Sequence, residues 1–109
     1  MIEVNGRFLP TTESGFLVHV DDWCEAAAEV LAAGVGIELT EAHWEILRHI
    51  RNYYLEYDHL PNARMFVKLV QKRFGAEKGN SRYLALLFPD SAVRQACLIA
   101  GLPKPPGCL

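Results

Sequence analysis

Several things are scarce in this sequence, and each shortage removes a class of protein. No apolar run approaches the ~20 residues a membrane-spanning helix needs, so no membrane insertion is expected. The opening Met-Ile-Glu-Val-Asn-Gly has no basic stretch leading into an apolar one. No secretory leader is therefore expected, and the chain reads as cytoplasmic. Cysteine is rare and odd in number, at three. In a reducing compartment that argues against a structural disulfide framework and leaves thiols that are either reactive or buried. The four histidines, His19, His43, His49 and His59, have no CxxC pair beside them, so a zinc site has no support. There is no glycine-rich phosphate loop, and nothing places a general base beside a cysteine. No cofactor is implied. Repeats, low-complexity tracts and interdomain linkers are also missing. A chain of 109 residues, half of them hydrophobic, is one domain with enough core to fold without staples.

The net charge is only −2, but its distribution is lopsided. Residues 1–60 hold eleven Asp/Glu against three Arg, a balance of −8, and residues 61–109 hold eight Lys/Arg against two Asp/Glu, a balance of +6. One reading is two solvated faces. The other is that the basic half favours cysteine thiolates and helps dock an anionic partner surface or substrate.

The pattern predicts a mainly α protein. It has about five helices in one orthogonally packed domain, with a small N-terminal β-hairpin and a flexible C-terminal arm. The divisions expected are a β element over 1–20, a helical body over 21–100 and a mobile, cysteine-bearing arm over 101–109. Residues 2–9 alternate around Asn5-Gly6, the pair that supplies the positive φ angles of a type I′ turn. A third short strand is expected near 16–18. Asp21 or Asp22 is placed to cap a helix over 23–33 that Gly34 ends. Cys24 then lies in its first turn and is read as structural, because Asp21, Asp22 and Glu25 oppose thiolate formation. Thr40 caps a second helix limited by Pro61. Its stripe of Trp44, Leu47, Ile50 or Arg51, and Tyr54, beside Ile46, Tyr53 and Tyr57, marks the centre of the core rather than a cofactor box. Asn62 opens a third helix through Phe74, apolar at Met65, Phe66, Leu69 and Val70 and basic at Arg64, Lys68, Lys72 and Arg73. Asn80 or Ser81 caps a short helix to Leu87, and Asp90 or Ser91 caps a last one over 92–100, with Gly101 beyond its end.

The tail, Cys-Leu-Ile-Ala-Gly-Leu-Pro-Lys-Pro-Pro-Gly-Cys-Leu, sets Cys97 on that last helix and Cys108 one residue from the end. Between them Pro103, Pro105 and Pro106 lack amide donors and Gly101 and Gly107 loosen the backbone, so the segment is an irregular arm. Extended, its eleven steps reach roughly 35 Å; folded back, they bring Cys108 to Cys97. Cys108 is the candidate nucleophile, since access and thiolate character set reactivity. Lys104 stabilises such a thiolate and the terminal carboxylate opposes it. Cys97 reads equally as a redox partner or as a small buried hydrophobe.

These residues resemble a known family. The ending Ala-Cys-x-Ile-Ala-Gly-Leu-Pro-Lys-Pro-x-Gly-Cys-Leu, the block Glu77-Lys78-Gly79-Asn80-Ser81-Arg82-Tyr83-Leu84 followed by Leu87-Phe88-Pro89, and the segment 39–68 are similar to the DsrC/TusE family. That family comprises the gamma subunit of dissimilatory sulfite reductase and its sulfur-relay relatives. The resemblance implies a sulfur carrier that holds persulfide sulfur on Cys108. It further implies that Cys97, kept in DsrC-type and absent from TusE-type members, closes a disulfide or trisulfide with it. Such a protein is a sulfurtransferase-type co-substrate more than a stand-alone catalyst. The implied partners are the sulfite reductase catalytic subunits, upstream sulfur-transfer proteins and a heterodisulfide-type reductase complex. The free protein is expected to be monomeric. Arg64, Lys78, Arg82, Arg94 and Lys104 match basic positions of the family near the tail, Arg94 standing where Lys is usual; one reading is that they hold the arm or meet the partner, the other that each is an ordinary surface charge. Three departures point toward a divergent paralogue: Ser91-Ala92-Val93 for Gly-Pro-Ala, Pro106 for Thr, and Pro61-Asn62 for Pro-Ala. Two alternatives stay open. One is a TusE-like relay toward tRNA 2-thiouridine synthesis. The other is a helix-turn-helix DNA-binding regulator built on 40–74, which the acidic first sixty residues and a pI near 6.0 oppose.

Overall fold

A computed structural model describes residues 1–107. Asn5 and Gly6 have φ angles of 51° and 83°, the two positive values a type I′ turn demands. They join β1 (Ile2–Val4) to β2 (Arg7–Leu9), antiparallel with Ile2 opposite Leu9 and Val4 opposite Arg7. The pleat turns Val4 and Leu9 into the core and leaves Glu3 and Phe8 outside. The strand expected near 16–18 is instead a single bridge, Thr11 to Leu17. Pro10 brings no amide to that edge, and Gly15, at φ 91°, turns the chain back at once.

The first helix starts later than its composition suggests. Residues Val20–Asp22 form a 3-10 turn, Trp23 stays extended, and α1 covers Glu25–Gly34. A tertiary bond decides this: the Trp23 indole reaches across to the Ile99 carbonyl at 2.8 Å. Cys24 is therefore the residue before the helix, and its thiol is exposed rather than packed.

Helix α2 (Glu41–Tyr57) begins after Thr40 as its sequence predicts, and ends at Asp58, whose φ of 56° stops it before Pro61 is reached. The Thr40 amide donates to His43 Nδ1 at 3.1 Å. His43 Nε2 lies 2.9 Å from the Leu87 carbonyl, which fixes the ring proton on Nε2. That buried ring also meets Phe88 edge-on, with centroids 5.3 Å apart. Helix α3 (Ala63–Phe74) opens on Asn62, whose side chain accepts from the Met65 amide at 2.9 Å. It buries Phe66 and Val70 and leaves Arg64, Lys68, Lys72 and Arg73 exposed. Helix α4 (Ser81–Leu87) follows, capped by Asn80.

The core centres on α5 (Ala92–Ile99), which packs against α1, α2, α3 and α4. Its Val93, Gln95, Ala96, Cys97, Leu98 and Ile99 are all buried. Helix α2, expected at the centre, contributes His43, Ile46, Leu47 and Ile50, but its last turns run outward and leave Tyr57 exposed against Tyr53. Small residues at 96, 97 and 100 let the neighbours approach α5 from several sides. No described helix is long and apolar enough to cross a membrane.

Candidate functional site at the root of the C-terminal tail

A helix leaves its last four carbonyls without intrahelical partners. In α5 those belong to residues 97–100, and each has found a donor. The Leu102 amide bonds back to the Cys97 carbonyl at 2.9 Å and the Gly101 amide to the Leu98 carbonyl at 3.2 Å. This pair is a Schellman motif, and it places Gly101 at φ 71°, where glycine carries no steric penalty. The Ile99 carbonyl accepts from the Trp23 indole. The Ala100 carbonyl accepts from Arg51 Nη1 at 2.9 Å, while Nη2 of the same guanidinium reaches the Val20 carbonyl at 3.0 Å. Arg51 also lies over the Trp23 ring, 4.5 Å from its centroid. Burial pushes the Arg51 pKa down and Asp21 pushes it back up. Gly101 sits so close beneath the indole that an added Cβ would be 2.4 Å from the ring.

Cys97 and Leu102 are both fully buried at the two ends of this unit. Beyond it Pro103, Lys104, Pro106 and Gly107 are exposed, while Pro105 touches the body. Pro103 and Lys104 border a groove of about 370 Å³ with Thr12, Ser14, Phe16, Leu17 and Val18. Arg94 lies over the Phe16 ring at 5.5 Å, and its buried Nε has no hydrogen-bond partner among the described residues. Cys97, Arg94 and Lys104 thus gather around the root of the tail. Cys108 lies outside the described residues.

The other basic candidates sit elsewhere. Arg64 is exposed at the mouth of a cleft of about 560 Å³ between α3, α4 and α5, with Phe66, Leu84, Phe88 and Val93 in its walls. Lys78 pairs with Glu45 of α2, which raises its pKa, and approaches the Phe74 ring. Arg82 is exposed in the first turn of α4. Around Lys78 the chain is tightly fitted. An added Cβ on Gly79 would be 2.2 Å from the Gln71 Cα. Asn80 accepts from the Tyr83 amide at 2.8 Å and donates to the carbonyls of Ala76 and Glu77 at 2.8 and 2.9 Å.

Sequence reasoning passed over Trp23 and Arg51, which complete the end of α5 by donating to its carbonyls. An arginine standing in the apolar register of α2 was the available signal.

Comparison with known proteins gives a consistent result. Residues 3–109 match the family described as DsrC like protein. The chain is 50% identical over 109 residues to Sulfurtransferase TusE of Yersinia pestis, covering 100% of both chains. It is 47% identical over 109 residues to the Sulfurtransferase TusE homolog of Haemophilus influenzae, again over 100% of both. The NMR structure of Allochromatium vinosum DsrC is similar at TM-score 0.91 and 47% identity, over 99% of this chain and 96% of that one. The oxidized gamma-subunit of the dissimilatory sulfite reductase (DsrC) from Archaeoglobus fulgidus is similar at TM-score 0.85 and 43% identity, over 98% of this chain and 97% of that one.

Proposed function

The chain belongs to the DsrC-like family, and from that premise we propose that it is a cytoplasmic sulfur-carrier protein whose Cys108 holds sulfur as a persulfide. Loading is a thiol–disulfide type exchange. The Cys108 thiolate attacks the outer sulfur of a donor persulfide, the donor's S–S bond breaks, and the donor leaves as a thiolate. Release uses the second cysteine. The Cys97 thiolate attacks Cys108 Sγ, the persulfide S–S bond breaks as the new disulfide forms, and hydrosulfide leaves; the Cys97 sulfur is oxidised as the carried sulfur is reduced. A partner dithiol then reopens the disulfide. Against a sulfite reductase, the two cysteine thiolates attack a sulfur(II) centre that still bears two hydroxyl groups; both S–O bonds break, the oxygens leave as hydroxide, each thiolate gives up one electron, and the sulfur ends between them as a trisulfide.

The observation that carries this reading is the pairing of a fully buried Cys97 with a proline-rich tail that begins five residues later and rests on the body again at Pro105. Burial shields Cys97 from bulk thiols and keeps it for a group delivered on the chain's own tail. In this reading Arg94 and Lys104, at the tail's root, hold the retracted arm, and Arg64, Lys78 and Arg82 face partners. The partners are sulfite reductase catalytic subunits, upstream sulfur-transfer proteins and a heterodisulfide-type reductase, met by a monomer. A relay toward tRNA thiolation is the second reading, favoured by the full-length similarity to proteins named TusE.

Intact mass after mixing reduced protein with a persulfide donor tests the proposal. A Cys24→Ser background is used, because that thiol is exposed to the donor as well. We expect sulfur on the background chain and on its Cys97→Ser form, none on its Cys108→Ser form, and sulfide release only where Cys97 is present. Loading of Cys108→Ser equal to the background overturns the carrier. Undiminished sulfur transfer from Cys97→Ser to an acceptor thiol favours the relay.

A further inference from the structure

Exposed carbonyls at a helix end are ordinarily left to water. At the end of α5 the protein brings an indole from residue 23 and a half-buried guanidinium from the middle of α2 to do what water does elsewhere. The forked guanidinium joins the Ala100 and Val20 carbonyls at once, and Val20 belongs to the turn that presents Trp23. The clamp thus fastens the helix end, the indole and Gly101 to one another.

Resting on the sulfur-carrier reading, we propose that Arg51 and Trp23 are positioning residues for the tail chemistry. They hold residues 97–102 as one rigid unit, so that the tether to Cys108 is counted from Leu102 rather than from Cys97. The tether from Leu102 to Cys108 is then six residues rather than the eleven counted from Cys97. Its reach is roughly 20 Å rather than roughly 35 Å. The effective concentration of one tethered group at another falls with about the −3/2 power of tether length. Freeing residues 97–102 therefore lowers that of Cys108 at Cys97 at least about twofold.

The test uses the full chain in the Cys24→Ser background, with Arg51→Gln, Trp23→Phe and, as a control, Val70→Ala, which loosens the core on α3 away from the clamp. Each is equilibrated with glutathione and glutathione disulfide. In that reaction the two tail thiols lose two protons and two electrons, and one glutathione disulfide becomes two thiols. The fraction of Cys97–Cys108 disulfide at each ratio gives the effective concentration. Arg51→Gln and Trp23→Phe are expected to lower it twofold or more while loading of Cys108 by a small persulfide donor stays at the background level. Val70→Ala is expected to lower the thermal midpoint and leave the effective concentration unchanged. An unchanged or raised effective concentration in the clamp variants overturns the proposal, as does an equal fall in Val70→Ala. If the background chain forms the disulfide, such a result leaves the carrier reading standing; if it forms none, the two-thiol reading and this inference fall together.

Discussion

A Cβ added at Gly79 would sit 2.2 Å from the Gln71 Cα and 2.3 Å from its nitrogen. Because the obstacle is helix backbone, relief requires the loop before α4 to move off α3. Gly79→Ala is expected to lower stability by about 2–4 kcal/mol, read as a lower denaturant midpoint. Its neighbour acts differently. Asn80→Ala removes one acceptor and two donor bonds at the start of α4 and should cost about 1–2 kcal/mol. The Asn80 cap was legible from the sequence, since Asn ahead of an apolar-periodic segment has a local cause. The need for glycine at 79 was not, because its cause is a residue eight positions earlier that only the fold brings near. The cysteines divide at the same scale. Cys24 is exposed and Cys97 fully buried. Brief iodoacetamide treatment of the native chain, followed by peptide mapping, should label Cys24 well before Cys97. Equal labelling would contradict the burial of Cys97.

Among the elements, the β-hairpin, α3 and α4 follow their local signals closely, each having a turn pair or cap that works without tertiary help. The start of α1 does not. Its aspartates look like caps, yet Trp23 is drawn out of the helix to the Ile99 carbonyl. Periodicity likewise marks α2 as central, because it is long and aromatic, but the short, small-residue α5 is what the other helices surround. The contact between α2 and α3 carries a pH dependence. His49 lies against the Leu69 carbonyl and the Phe74 ring. Burial pushes its pKa below the usual 6.5, the Leu69 carbonyl pulls it up and Arg73 pushes it down further. The folded state thus binds fewer protons than the unfolded chain across that window. Stability from this site is present above about 6.5 and is lost as pH falls through the lowered value. The urea midpoint should fall between pH 7.5 and pH 5, and His49→Gln should make that fall shallower. An identical slope in the variant would contradict the assignment.

Across the whole molecule, the basic half of the sequence does not become one uniform field. Lys78 is spent on Glu45 and Arg94 lies over Phe16, whereas Arg64, Lys68, Lys72, Arg82 and Lys104 remain exposed. The mainly helical fold was readable from caps and three-to-four spacing, and the family from the tail and the Lys-Gly-Asn-Ser block. The clamp at the tail's root was not readable, since it joins residues 23, 51 and 100, which no local pattern connects. Those contacts fix where the tail begins and leave the carried sulfur as the point to test. The most direct measurement is peptide-level mass spectrometry of the wild-type chain after a limiting dose of persulfide donor, locating the added sulfur. The account predicts it on Cys108. Sulfur found on the exposed Cys24, with Cys108 unmodified, would contradict it.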